Sequence, residues 1–80
     1  MIRSLKEKRR ILKSLVARVR NSFNVSIAEV DENDSHRTAV LGMAVVANNS
    51  AFADKVAAKV INKIDSFNDV VLFDYQTESY

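Results

Sequence analysis

The chain has no cysteine, no proline and no tryptophan, and its 80 residues include one glycine and one histidine. Without cysteine, neither a disulfide framework nor a thiolate zinc site is available, and a lone histidine does not anchor an ordinary zinc site. The longest apolar run, Ala39 to Ala47, has nine residues, whereas a membrane-spanning helix needs about 20. The N-terminus also lacks the apolar core of a secretion signal. We therefore expect a cytoplasmic protein with no metal, no cofactor and no membrane contact.

Catalytic motifs are also missing from the sequence. There is no GxxxxGK loop and no nucleophile elbow. His36 follows Ser35 directly, and adjacent side chains usually diverge, which makes a catalytic dyad a poor interpretation. The stretch "DENDS" that starts at Asp31 resembles the opening of a calcium loop, but His36 replaces the required glycine and Gly42 the required glutamate. We expect a protein without enzyme activity.

Positive charge is what the N-terminal quarter has in excess. Residues 1–20 contain eight Lys or Arg and one Glu, a local charge of +7. Residues 21–80 contain four basic and nine acidic residues, a local charge of −5, so the net charge is only +2. This separation is typical of a local basic patch on an otherwise ordinary domain.

The apolar pattern predicts two helices and three strands in a single domain, residues 1–80. Ser4 and Glu7 form a capping box, after which apolar residues recur at helical spacing until Asn21 and Ser22. The segment 23–30 alternates like a half-buried strand, and 38–47 is apolar on both alternating sets, which predicts a strand buried on both faces. A second helix is expected at 51–66 and a last strand at 69–77.

The order α-β-β-α-β is one strand short of the ferredoxin-like β-α-β-β-α-β arrangement, an α+β fold with an antiparallel sheet and two helices on one face. The absent N-terminal strand would be central in that sheet. Three explanations are open: the chain is truncated, the last strand moves beside the hairpin, or a partner chain fills the gap. We favour truncation. Because so small a core stabilises a domain weakly, we also expect a homo-oligomer.

Three blocks in this order, "SLKEKR", "FNVSIAEV" and "AVLGMAVV", resemble the YlxP-like family, small bacterial proteins classed as a domain of unknown function. The resemblance implies a ferredoxin-like fold with an extra strand before the "SLKEKR" helix. It also implies an association with translation or ribosome maturation, and it brings no biochemical activity. Many members carry Trp-Gln-Arg in the hairpin loop, where this chain has Ser35, His36 and Arg37.

Five basic residues of the first helix project onto one side, opposite its apolar arc, when positions are placed at about 100° per residue. These residues, here called the basic stripe, are Lys6, Arg9, Arg10, Lys13 and Arg20. Glu7 is the only acid interleaved among them in the sequence, and it projects outside this side of the helix. No aromatic lies on this side either, which favours contact with a nucleic-acid backbone over base stacking. The alternative is an ordinary solvated helix face.

Lys8 projects into the apolar arc instead. The preferred interpretation is a stem packed on the core with its ammonium reaching solvent. The alternative is a partly buried cation that holds a carboxylate, for which Glu29 and Asp74 are the candidates. The sequence does not choose between those two acids.

These observations support three hypotheses. The first is a non-enzymatic module that binds RNA or a ribosomal particle through the basic stripe. The second is a homo-oligomeric structural or regulatory domain in which strand edges join and the stripe is only solvated. The third is a small-molecule sensor with its site in a dimer cleft.

Overall fold

The computed structural model describes residues 4–78 and contains two helices and one two-stranded sheet within that range. Helix α1 spans Leu5–Ser22, strand β1 Ser26–Asp31, strand β2 Val40–Ala44 and helix α2 Ser50–Asp65. The expected α+β class is confirmed, and the observed order α-β-β-α matches part of a ferredoxin-like fold.

Helix α1 begins after the predicted cap Ser4, and α2 begins at Ser50, one residue before its predicted start. The Ser4 hydroxyl accepts the backbone N–H of Glu7 at 3.1 Å. Asn49 does the same at α2, where its side-chain oxygen accepts the backbone N–H of Phe52 at 2.8 Å. Each cap satisfies a backbone donor that has no partner within the helix, which fixes the first turn.

Strands β1 and β2 form an antiparallel hairpin with one irregularity. Glu29 pairs with Leu41 and Asp31 with Val40, so Val30 is the extra residue of a β-bulge. A Cβ built on Gly42 would lie 2.9 Å from Val30 Cγ1, too close for an undisturbed contact. Gly42 therefore makes room for this valine side chain.

One apolar core lies between the hairpin and the two helices. Its buried members come from α1, β1 and α2 and are Leu15, Val19, Ile27 and Val60. Leu41 and Met43 of β2 pack against the same cluster. Since all these residues share one side of the hairpin, both helices cover the same face of the sheet, as predicted.

The second strand is shorter and less buried than expected. It comprises Val40–Ala44 instead of 38–47, and it is not buried on both faces, since Val40 is 44% exposed. Val46, beyond the strand end, is 96% exposed. The helices cover only the Leu41 and Met43 side of the hairpin, so the alternating set with Val40 faces outward. Apolar composition on both sets did not imply two covered faces.

The last predicted strand, residues 69–77, is not formed. Residues 68–78 have no regular secondary structure, and the sheet of the described chain contains only β1 and β2. The composition of this segment favours a strand, but a strand requires a neighbouring ladder. Among residues 4–78, no strand lies beside this segment.

Candidate nucleic-acid interface

The basic stripe lies on the solvent side of α1. Its five members, Lys6, Arg9, Arg10, Lys13 and Arg20, are all exposed. The opposite side of the helix buries Ile11, Leu12, Leu15 and Val19. The apolar periodicity thus orients the helix, and this orientation presents the cations to water together.

Four of the five stripe cations are uncommitted. Lys6, Arg9, Arg10 and Lys13 form no ion pair with any carboxylate of residues 4–77. Arg20 differs, because its guanidinium donates a hydrogen bond to the carbonyl of Ile27 in β1 at 2.9 Å. Arg20 thus links the end of α1 to the sheet and has less freedom to follow a ligand than the other four.

Arg18 is a basic residue of α1 that the helical projection left outside the stripe. Its guanidinium carbon lies 5.3 Å from the centre of the Phe67 ring, within the range of a cation–π contact. This contact joins α1 to the segment that follows α2. Arg18 therefore differs from the solvated cations of α1 in its contact with Phe67, a residue that is distant in the sequence.

Lys8 occupies the other side of the helix and is 2% exposed. Its ammonium nitrogen is surrounded by three oxygens: Glu29 Oε2 at 2.7 Å, the carbonyl of Glu32 at 2.7 Å and that of Ser35 at 2.6 Å. The expected snorkelling to solvent is wrong, and the alternative of a buried cation with a carboxylate partner is correct. Because the hairpin loop closes over the first turns of α1, the ammonium has no open path to water.

Glu29 is the carboxylate that Lys8 holds, and Asp74 is not. The Glu29 side chain is 19% exposed, and its buried Oε2 has no partner other than the Lys8 ammonium among the described residues. Asp74 instead accepts the backbone N–H of Tyr75 at 2.8 Å. Lys8 and Glu29 reach each other because Glu29 lies on the helix-facing side of β1, in alternation with Ile27.

The hairpin loop is ordered by its own polar groups as well as by Lys8. Ser35 Oγ accepts the backbone N–H groups of Arg37 and Thr38, at 3.3 and 3.2 Å. Glu32 has a φ of 59°, the left-handed region that non-glycine residues rarely adopt, and its N–H donates to Asp31 Oδ1 at 2.8 Å. The oxygens of "DENDS" thus serve the loop itself. Among residues 4–78, no group of three metal-ligating side chains is placed to hold an ion.

Two open concavities on the described part of the chain bear on a ligand site. One, of about 300 Å³, lies between α2 and the final segment and is lined by Asp54, Ala57, Ile61 and Tyr75, among others. The other, of about 360 Å³, lies over the strands beside Arg20. Both are open to solvent, and the lining of the first includes the polar side chains of Asp54, Asn62, Tyr75 and Thr77. Within residues 4–78, no helix has the length and apolar character needed to cross a membrane.

The geometry defines a small α+β domain in which one amphipathic helix carries a basic outer face and a buried lysine. The family model described as "Protein of unknown function (DUF503)" matches residues 1–77. A curated relative, "Uncharacterized protein YlxP" of Bacillus subtilis (strain 168), is 40% identical over 67 residues, which cover 84% of this chain and 73% of the relative. No solved structure matches the chain. The protein belongs to the DUF503 family, and the predicted YlxP-like resemblance is confirmed.

Proposed function

We propose that this protein is a non-enzymatic module that binds the phosphate backbone of RNA through the basic stripe of α1. The observation that carries the proposal is the set of four exposed cations, Lys6, Arg9, Arg10 and Lys13, without carboxylate partners in residues 4–77. Solvated helix faces usually interleave both signs of charge, whereas a face of one sign concentrates anions.

The dimensions of the stripe suit a polyanion. From Lys6 to Arg20 the helix rises about 21 Å, at about 1.5 Å per residue. Five cations over that length give one charge per about 5 Å, and the four from Lys6 to Lys13 give one per about 3.5 Å, which is close to the about 3.4 Å per charge along one strand of a duplex. A small anion would engage only one or two of them, and a nucleic-acid strand is the ligand that uses the whole row.

An anionic membrane surface fits the same helix less well. Helices that lie in a membrane interface insert an apolar face while their basic face meets the headgroups. In α1 the apolar face is already used, since Leu15 and Val19 are fully buried in the core. Electrostatic contact without insertion favours a nucleic acid.

RNA is preferred to DNA because of the mode of contact that the surface allows. No aromatic side chain lies on the stripe, so stacking and base reading from this surface are not expected. Structured RNA is recognised largely by shape, phosphate and 2′-hydroxyl contacts. The YlxP-like resemblance implies a link to ribosome maturation and supports the same preference.

A binding role also agrees with the chemistry of the one buried cation. The Lys8 ammonium is engaged by Glu29 Oε2 and by two loop carbonyls. A lysine held in this way is not free to act as a nucleophile or as a proton acceptor. Its role is to fix the loop against α1, which keeps the neighbouring stripe on a rigid support.

Binding of a labelled structured RNA at increasing salt tests the proposal. With four phosphate contacts, a plot of the logarithm of the affinity against the logarithm of the salt concentration has a slope of about −3, so a rise from about 50 to 200 mM lowers the affinity about 60-fold. A DNA duplex of the same sequence and a single strand serve as competitors. If no affinity for RNA is found at low salt, or if the DNA duplex binds better, the proposal is wrong.

A matched pair of variants separates the stripe from net charge. Arg9→Glu with Lys13→Glu and Lys55→Glu with Lys59→Glu each reverse two exposed cations four positions apart on a helix. The first double variant should lose most of the affinity and reduce the salt slope by about 2, because each phosphate contact contributes about 1. The second should bind nearly as well as the parent. Equal losses would show that only net charge matters.

The proposal extends to ribosomal particles as the natural RNA. The protein should co-sediment with ribosomal subunits at low salt and be released by a high-salt wash, and the Arg9→Glu/Lys13→Glu variant should remain in the supernatant. Retention of that variant on the particles would exclude the stripe as the point of attachment.

A further inference from the structure

The guanidinium of Arg18 has different surroundings on its two sides. On one side lies the Phe67 ring, whose centre is 5.3 Å from the guanidinium carbon. Arg18 is nevertheless exposed, and within residues 4–77 its guanidinium has no carboxylate partner. The side turned away from Phe67 is therefore available to a ligand, and it belongs to a planar group that stacks on flat partners.

Phe67 is a firm support for this guanidinium. Its side chain packs against the buried core cluster, and its backbone N–H donates to the carbonyl of Ile64 at 3.1 Å, directly after α2. A ring held in this way gives Arg18 a preferred position and reduces the side-chain entropy that a ligand contact would otherwise cost.

Arg18 adjoins the basic stripe without belonging to it. Arg10, Ser14 and Arg18 follow one another at four-residue spacing, so they form one row on α1 with neighbours about 6 Å apart along the axis. Arg10 is a member of the stripe, and Ser14 is exposed between the two arginines. A strand whose phosphates lie on the stripe therefore has the Arg18 guanidinium within reach, beyond an uncharged hydroxyl that can bond to a base edge.

The charges around Phe67 favour a base over a further phosphate at this position. Asp65 and Asp69 lie two residues before and after Phe67 in the sequence and are exposed. Neither forms an ion pair with Arg18. Their negative charge repels a phosphate, whereas a nucleobase is uncharged and presents a flat face.

We propose that Arg18, supported by Phe67, stacks on an unpaired base of the RNA whose phosphates bind the stripe. Bases that are splayed out of a helix commonly stack on arginine guanidinium planes. The preferred ligand is then a structured RNA that carries an unpaired nucleotide beside a stem, and a continuous duplex is a weaker ligand. This inference rests on the proposed function and adds the class of RNA that the same surface selects.

Two hairpin RNAs with the same stem test the inference. One is fully paired in the stem, and the other carries one unpaired 2-aminopurine, a fluorescent base that is quenched when it stacks. The protein should bind the second RNA at least about fivefold more tightly, the lower end for one stacked base, and the fluorescence should fall on binding. Equal affinities, or fluorescence that does not fall, overturn the inference and leave the proposed function intact. If neither RNA binds, the proposed function fails as well.

Conservative variants identify the stacking group. Arg18→Lys keeps the charge but loses the planar group, so the preference and the quenching should disappear while the fully paired RNA binds as before. Arg10→Lys is the matched control on the same row of α1 and should retain the preference, since a lysine still meets a phosphate. Phe67→Leu keeps an apolar side chain and removes the ring, so the preference should fall, and unchanged binding of the fully paired RNA shows that the variant is folded. Retention of the preference by Arg18→Lys, or an equal loss in Arg10→Lys, contradicts the inference.

Discussion

The inner and outer faces of α1 carry the same kinds of cation in opposite surroundings. Lys8, on the inner face, is 2% exposed, and three oxygens lie within 2.7 Å of its ammonium. Arg9 follows it directly, lies on the outer face and is exposed without a carboxylate partner in residues 4–77. A rotation of about 100° about the helix axis separates a cation that stabilises the fold from one that is free to bind.

The two cations differ in role because a buried charge needs partners within the protein and an exposed charge does not. A buried ammonium must be paired and hydrogen-bonded, since an isolated charge in the interior is strongly destabilising. An exposed cation keeps its water and exchanges it for a phosphate only when a ligand arrives. The inner lysine should therefore dominate stability, and the outer cations should dominate salt-dependent binding.

The largest expected effect comes from breaking the inner contact. Lys8→Met keeps much of the stem but leaves Glu29 and the Ser35 carbonyl without their donor, while the Glu32 carbonyl keeps the N–H of Ser35. The change should lower the free energy of unfolding by about 3 kcal/mol, at the lower end of such losses because Glu29 is 19% exposed. Urea unfolding measures it. Lys13→Met, the exposed control on the same helix, should change stability by less than about 0.5 kcal/mol.

A double variant determines whether the ion pair or the packing of the Lys8 stem accounts for the stability that Lys8→Met loses. Adding Glu29→Met to Lys8→Met removes the stranded carboxylate, so stability should recover much of the loss. The two changes should be clearly non-additive because the residues are in direct contact. If the losses simply add, the stem of Lys8 and not its charge stabilises the loop.

A smaller effect, of opposite sign, is expected in the loop that Lys8 holds. Glu32 is in the left-handed region at a φ of 59°, which costs a non-glycine residue about 1 kcal/mol. The Lys8 bond is to the Glu32 backbone carbonyl, and glycine retains that group. Glu32→Gly should therefore raise the unfolding free energy by about 0.5–1 kcal/mol. A loss of stability would show that the Glu32 side chain has a role of its own.

Local features of the sequence predicted the helices and the stripe well. Ser4 and Asn49 each accept a hydrogen bond from the backbone N–H three residues later, at the start of a helix. The stripe follows from helical periodicity alone. These features need no knowledge of distant residues, and the structure places them as expected.

The errors concern features that depend on distant parts of the chain. Glu29 was a candidate partner for Lys8, but the two carbonyls that complete the site depend on the loop conformation, which no residue type reveals. The segment 69–77 has strand composition and forms no strand, because pairing depends on a neighbour and not on propensity. The exposed face of β2, which includes Val40, was predicted to be buried for the same reason, since its exposure depends on which face the helices cover.

The smallest change in stability should come from replacing a single cation of the outer face of α1. This variant gives the clearest test of the difference between the inner and outer faces of the helix. Lys13→Gln removes one exposed charge and no contact within the described chain, so unfolding should change by less than about 0.5 kcal/mol. The salt slope of RNA binding should nevertheless fall by about 1, because one phosphate contact is lost. If stability falls and the slope does not, the outer face has a structural role and the distinction between the two faces of α1 fails.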